Sequence, residues 1–166
     1  VSKYMRDLYR AMRVEYSSSE IYQEGSGNIP PSYRPYREYK QYDYKNPDIV
    51  YKATPEGTWG TIAQNGCMPT SISIILSGYG ITSKDGSIST PETVATELHN
   101  YISSYNTAKN IFSNLGFSVG NIYYINSKNA STLDILISHL ESGGAVLAHC
   151  NKGWYASQGH YMAILG

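Results

Sequence analysis

The chain has 166 residues, and its 13 basic and 13 acidic side chains give a formal net charge of zero at pH 7. This balance gives no electrostatic basis for binding nucleic acid or an acidic membrane surface. No apolar run approaches the roughly 18 residues that a membrane span needs, and the length predicts one domain with an appendage.

The first 36 residues differ in pattern from the rest of the chain. Residues 3–16 place apolar side chains at helical spacing and predict an amphipathic helix. Residues 17–36 are rich in Ser, Gly, Pro and Tyr, have no period, and predict a linker or an arm that lies on a surface. We therefore place a boundary near residue 37, with an N-terminal helix and arm over 1–36 and a second unit over 37–166.

The second unit begins with residues 37–44, which predict a first strand or an extended arm, and continues with a loop over 45–66. A buried helix is predicted next, because four large apolar residues share one helical face: Ile72, Ile75, Leu76 and Tyr79. Pro69 costs no intrahelical hydrogen bond in a first turn, so it supports a helix start at Cys67 or Met68. Gly78 and Gly80 end this helix.

Further helices and strands follow. Thr90 as N-cap, Pro91 at the first helical position and Thr93 at the third predict the start of the next helix. The remaining elements are a helix over 107–116, a strand over 117–125, a helix over 129–144 ended by Gly143, and two apolar strands over 145–150 and 160–166. Helices that precede strands in this way indicate an α+β fold.

The position of Cys67 in the sequence favours a nucleophilic thiol. A thiol at a helix start lies over unpaired N–H groups and the positive end of the helix dipole, which favour the nucleophilic thiolate. Gly66 leaves room for a substrate carbonyl to approach. Gln64 can donate its amide, together with the Cys67 backbone N–H, to an oxyanion.

A general base must be one of the four histidines. His99 and His139 lie inside predicted amphipathic helices, where packing or exposure is the commoner role, and His149 lies at the end of a strand. His160 follows Gly159 and opens a strand, which holds an imidazole at a rigid edge. We therefore favour His160 as the base.

Three segments carry a resemblance to a known family: QNGCMPTS at 64–71, SGGAVLA at 142–148 and GHYMAILG at 159–166. Together they resemble papain-like cysteine peptidases, in particular the bacteriocin-processing, double-glycine-leader peptidases and their stand-alone bacterial relatives. The likeness covers about residues 38–166. It implies a papain-like α+β fold in which a helical part that carries Cys67 packs on an antiparallel sheet that carries His160.

The resemblance also implies roles: Cys67 is the nucleophile, Gln64 helps to form the oxyanion hole, and His160 is the general base. The separation of 93 residues (160 − 67) is shorter than in cathepsin-type enzymes and suits the compact branch. The family orients its histidine with a downstream Asp or Asn. Because the sequence stops at Gly166 within a predicted strand, we expect that residue, and the strand or strands around it, beyond Gly166; the alternative is that another group takes the orienting role.

The expected activity is hydrolysis of peptide bonds. Two alternatives stay open: a catalytically degenerate binding or structural module of a larger bacterial surface protein, and an amidase or acyltransferase on the same triad. We expect a peptide or protein substrate, with a cell-wall peptide conceivable. The Tyr-rich composition and the resemblance together favour a protein that is secreted or on the surface of a bacterium.

No metal or cofactor is predicted, because the cysteines and histidines show no short ligand spacing and no glycine-rich phosphate loop precedes a helix. Two cysteines are too few for a disulfide scaffold, and we expect Cys150 to be a packed thiol. Trp59 and Trp154 flank the motif segments and either line a cleft or pack.

Overall fold

The computed structural model describes residue 34 and residues 36–52, 57–82, 86, 89–97, 105–114, 119–123, 130–152 and 159–166. Within these ranges the helices are α1 (Ile62–Asn65), α2 (Cys67–Gly78), α3 (Pro91–Glu97), α4 (Tyr105–Asn114) and α5 (Ala130–Glu141). The strands are β1 (Val50–Tyr51), β2 (Gly60–Thr61), β3 (Ala145–Cys150) and β4 (His160–Leu165), and a 3₁₀ helix covers Gln41–Asp43. The predicted helix over 3–16 lies outside the described residues, as does most of the predicted arm, so the proposed division of the chain stays a prediction.

Helix α2 is the centre of the core, and it begins at Cys67 as the sequence predicts. Met68, Ile72, Ile75 and Leu76 are almost completely buried, with Ile72 at 0% exposure. Polar side chains on the same helix are also buried. Three of them donate their hydroxyls to a carbonyl four residues earlier: Thr70 to Gly66, Ser71 to Cys67 and Ser73 to Pro69. Ser77 donates to the Ile74 carbonyl, three residues earlier. Because these bonds satisfy the hydroxyls, the helix can be enclosed on its polar side as well as its apolar side.

The C-terminal end of α2 is closed by a glycine turn. Gly80 has a φ of 66°, a left-handed conformation that favours glycine. Its N–H donates to the Ser77 carbonyl at 3.1 Å, and the Ile81 N–H donates to the Leu76 carbonyl at 3.0 Å. These two bonds are those of a Schellman motif, and they confirm the predicted end of the helix.

Arg34, Tyr36 and Arg37 contact this same end of α2. The Arg34 guanidinium lies 3.7 Å from the centre of the Tyr79 ring, and the Tyr36 ring fills the space that a side chain at Gly78 would need. The Arg37 N–H donates to Ser77 Oγ at 2.8 Å. A cation at a helix C-terminus also interacts favourably with the helix dipole.

Strands β3 and β4 form an antiparallel hairpin whose register runs from Ala145 opposite Leu165 to Cys150 opposite His160. The face that packs on the core carries Ala145, Leu147, Tyr161, Ala163 and Leu165. Helix α2 lies directly against β4. The predicted arrangement, a helix that carries Cys67 packed on antiparallel strands of which one begins at His160, is confirmed.

Three predicted segments differ from the structure. Residues 37–44 contain the 3₁₀ helix and no strand, and the predicted loop over 45–66 contains β1, β2 and the single turn α1. Of the predicted strand over 117–125, residues 119–123 are described and have no regular secondary structure. The first two differences involve elements of two to four residues, which are too short for hydrophobic periodicity to detect.

Helix α3 starts with the cap that the sequence predicts. The Thr93 N–H donates to Thr90 Oγ1 at 3.2 Å, and the Thr90 N–H donates to Thr93 Oγ1 at 2.8 Å. This reciprocal pair has the logic of a capping box, with Thr93 in the position usually held by Glu or Gln. It fixes the start of a helix that buries Val94 and Ala95 in the core.

We expect Thr90→Ala to lower the free energy of unfolding by about 1 kcal/mol, because it leaves an N-terminal amide of α3 without an acceptor. Urea unfolding followed by circular dichroism measures this change. Thr96→Ala is the matched control, since that exposed hydroxyl only bonds back to the Glu92 carbonyl, and we expect it to stay within about 0.5 kcal/mol of the wild type. Equal losses in the two variants would contradict the capping role.

Candidate active site

The nucleophile candidate lies at a sharp junction between two helices. Gly66 separates α1 from α2 and is buried. A Cβ at this glycine would come within 2.7 Å of the Ile62 carbonyl oxygen and 2.9 Å of Ile62 Cα, so a side chain would push the two helices apart. Cys67 is therefore held as the first residue of α2, partly exposed and with a free thiol.

The backbone amides at the start of α2 point at the region around Cys67. The first four N–H groups of a helix have no intrahelical acceptor and carry the positive end of the helix dipole. The Cys67 N–H is the first of these in α2. This geometry suits stabilisation of a thiolate and of an oxyanion next to it.

Gln64 lies on α1, one turn before Cys67, and its side chain is exposed and held in place. Its Oε1 accepts from the Thr61 N–H at 2.9 Å and from Thr61 Oγ1 at 3.4 Å. Together with the bond from the Gln64 backbone N–H to the Thr61 hydroxyl, this forms a capping box. Because the oxygen of the side-chain amide is engaged, the amide nitrogen is the end that can donate to a ligand.

Tyr51 connects the two halves of the candidate site, although the sequence patterns give it no role. It is 3% exposed, and its hydroxyl donates to Met68 Sδ at 4.0 Å. Burial raises the pKa of Tyr51, and the neighbouring Cys67 and Tyr161 raise it further. Since Cys67 opens α2 and Tyr161 follows the first residue of β4, the phenol lies within electrostatic reach of both motif segments.

The hairpin carries two histidines near Tyr161. His160 is the first residue of β4 and lies opposite Cys150, whereas His149 lies opposite Tyr161. The rings of His149 and Tyr161 are 4.5 Å apart between centroids. Because side chains alternate between the faces of a strand, His149 and Tyr161 share the face that packs on the core, and His160 and Cys150 share the other.

The surroundings of the two histidines differ. The His149 ring packs over Gly159, where a Cβ would lie 2.6 Å from its Nε2. His160 is half-buried and borders the loop that joins the strands. In the described ranges, no side chain hydrogen-bonds the His160 imidazole.

The remaining candidates from the sequence make other contacts or lie outside the described residues. Trp59 is 48% exposed, and the Lys52 ammonium lies 5.8 Å from its ring centre. His139 is exposed on α5, and its Nε2 lies 3.3 Å from the Ala145 carbonyl oxygen. His99 and Trp154 lie outside the described residues.

The described ranges contain no group of three or more His, Cys, Asp or Glu side chains that could hold a metal ion. None of the helices in those ranges combines the length and hydropathy of a transmembrane segment.

Comparison with known families shows to which family the chain belongs. The Peptidase_C39 like family matches residues 35–166. The chain belongs to this family. Membership implies a papain-like fold, in agreement with the mixed helices and antiparallel strands, and a function of the cysteine peptidase kind. The match is to the family as a whole and does not single out the bacteriocin-processing branch. Comparisons with curated proteins and with solved structures gave no match.

The raised pKa of Tyr51 predicts a loss of stability in alkali. Above pH 10.0, the usual value for tyrosine, the unfolded chain releases the Tyr51 proton while the folded protein keeps it. The Tyr51 contribution to the free energy of unfolding is therefore intact below pH 10 and falls above it, by up to about 1.4 kcal/mol per pH unit. Tyr51→Phe removes this dependence. Between pH 9 and pH 11 we therefore expect the free energy of unfolding of the wild type to fall relative to that of the variant.

Urea unfolding at a series of pH values measures this difference. Tyr42→Phe is the matched control, because it removes the same hydroxyl from a side chain that is 59% exposed. If the free energies of unfolding of the wild type and Tyr51→Phe changed in parallel with pH, the folded protein would not disfavour the ionised form of Tyr51.

Proposed function

We propose that the protein is a cysteine peptidase in which Cys67 is the nucleophile, Gln64 an oxyanion donor and His160 the general base. The observation that carries the proposal is the position of Cys67 as the first residue of a buried helix in a Peptidase_C39-like chain. Strand β4, which begins at His160, packs against the same helix. The substrate class that follows is a peptide or protein.

The first step is attack of the Cys67 thiolate on the carbonyl carbon of a peptide bond. A C–S bond forms, and the carbonyl oxygen takes the electron pair as an oxyanion. The Cys67 N–H and the Gln64 Nε2 amide donate to this oxyanion. The capping box supports the role of Gln64, since it restrains the side chain before the substrate binds and so lowers the cost of reorganisation.

The second step is collapse of the tetrahedral intermediate. The C–N bond breaks, and the amine leaves with a proton from the His160 imidazolium. Water, from which His160 removes a proton, then attacks the thioester carbonyl. The C–S bond breaks, and the products are a carboxylate, an amine and the regenerated thiolate–imidazolium pair.

His160 is proposed as the base in preference to His149, although His149 lies on the face of the hairpin towards the core. The His149 ring is stacked on Tyr161 and packed over Gly159, an arrangement that suits a packing role. His160 is the half-buried first residue of β4, and none of the described side chains hydrogen-bonds its imidazole. The G-H-Y motif supports the same choice.

Alkylation with iodoacetamide tests which of the two histidines is the base. We expect rapid labelling at Cys67 and slow labelling at Cys150, read by peptide mass spectrometry. An ordinary thiol is only about 3% ionised at pH 7, so loss of the base in His160→Ala is expected to slow labelling of Cys67 by roughly ten- to thirtyfold. His149→Ala is the matched control and should label at the wild-type rate. Slow labelling of Cys67 in His149→Ala, with the wild-type rate in His160→Ala, would show that His149 is the base.

Hydrolysis of a quenched-fluorescence peptide library tests the reaction itself. We expect turnover by the wild type, none above background with Cys67→Ala, and wild-type turnover with Cys150→Ala, which removes the other thiol. If the wild type and Cys67→Ala are equally inactive but bind the same peptides, the binding-module alternative replaces the peptidase. Turnover that survives in Cys67→Ala would exclude Cys67 as the nucleophile.

A further inference from the structure

Gln41 contacts the helix junction that presents Cys67. It lies in the 3₁₀ helix well before that junction in the chain, and its Nε2 donates to the Ala63 carbonyl at 3.1 Å. The Ala63 N–H donates to the Tyr44 carbonyl at 2.9 Å. The two peptide groups that flank Ala63 are thus both held by residues 41–44, and this fixes the orientation of α1.

The Ala63 carbonyl is the acceptor that Cys67 would use if α1 continued into α2. The Gly66 N–H donates to the Ile62 carbonyl, four residues earlier, at 2.8 Å. The next bond of such a ladder would run from the Cys67 N–H to the Ala63 carbonyl. That bond is not among those formed by the described residues, and the Ala63 carbonyl accepts from Gln41 instead.

We infer that Gln41 is a positioning residue for the oxyanion hole: by holding the Ala63 carbonyl, it keeps the Cys67 N–H free to donate to substrate. The inference rests on the proposed peptidase function. It assigns a role to the segment 41–44, which lies outside the sequence motifs. Gln41 does not touch the substrate and acts only through the backbone at Ala63.

Gln41→Met tests the inference, because it keeps the length of the side chain and removes the donor. We expect kcat on the quenched-fluorescence peptide library to fall by about tenfold or more with little change in KM, since one oxyanion donor is worth about 10²–10³ in kcat. Alkylation of Cys67 by iodoacetamide forms no oxyanion, so its rate should stay at the wild-type value. The exposed Tyr42→Ala is the matched control and should leave kcat unchanged.

Amide hydrogen exchange by NMR gives a readout that needs no substrate. In Gln41→Met the Cys67 N–H can close onto the Ala63 carbonyl, so its exchange should slow by about tenfold relative to the Thr70 N–H, which already donates to the Gly66 carbonyl. Unchanged exchange at the Cys67 N–H would overturn this inference and leave the proposed peptidase function standing. A parallel fall in kcat and alkylation rate also overturns it, because it indicates general loss of structure. If the wild type hydrolyses no peptide, it is the proposed peptidase function that is wrong.

Discussion

The burial of α2 is the constraint on which the rest of the structure depends. A helix enclosed on its polar and apolar sides cannot shift or rotate without opening the core, and dense packing makes such a shift costly. Its buried serine and threonine hydroxyls donate to carbonyls of the helix or of Gly66 just before it, so none of them is buried without an acceptor. The first residue of this helix therefore has a fixed position, and that residue is Cys67.

A hairpin that carries His149 and His160 packs against the same helix. Its register places Tyr161 opposite His149 and Cys150 opposite His160. The buried phenol of Tyr51 contacts Met68, the second residue of α2, and its pKa is raised by burial and by the neighbouring Cys67 and Tyr161. The two motif segments are far apart in the chain, and it is the packing of α2 on β4 that brings them together.

Much of this arrangement could be predicted from local patterns. The start of α2 at Cys67, its end at Gly80 and the threonine cap of α3 each depend on residues close in sequence, where backbone geometry restricts the choice. The α+β class and the two apolar strands follow from hydrophobic runs and their order. The capping box of Thr61 and Gln64 is also present in the sequence as T-x-x-Q, but it is easily missed because the turn that it starts has only four residues.

The contacts of Tyr51 and Gln41 could not be predicted in this way. Each depends on a pairing between distant parts of the chain: Tyr51 opposite Gly60, and Gln41 on the Ala63 carbonyl. A two-residue strand and a single 3₁₀ turn leave no periodic trace, and a hydrogen bond to a backbone carbonyl requires no particular residue at the acceptor. The roles of Gln64 and His160 stay proposals for a related reason, since a motif gives residue types and their order but not the direction of a side chain.

The attachment of Arg34, Tyr36 and Arg37 to the far end of α2 has a practical consequence. Helix α2 runs from Cys67 to Gly78, and at about 1.5 Å per residue its two ends are about 16 Å apart. These three residues thus contact the core at the pole opposite the thiol. A fluorophore attached to the exposed side chain at position 37 lies at that pole, away from the sulfur.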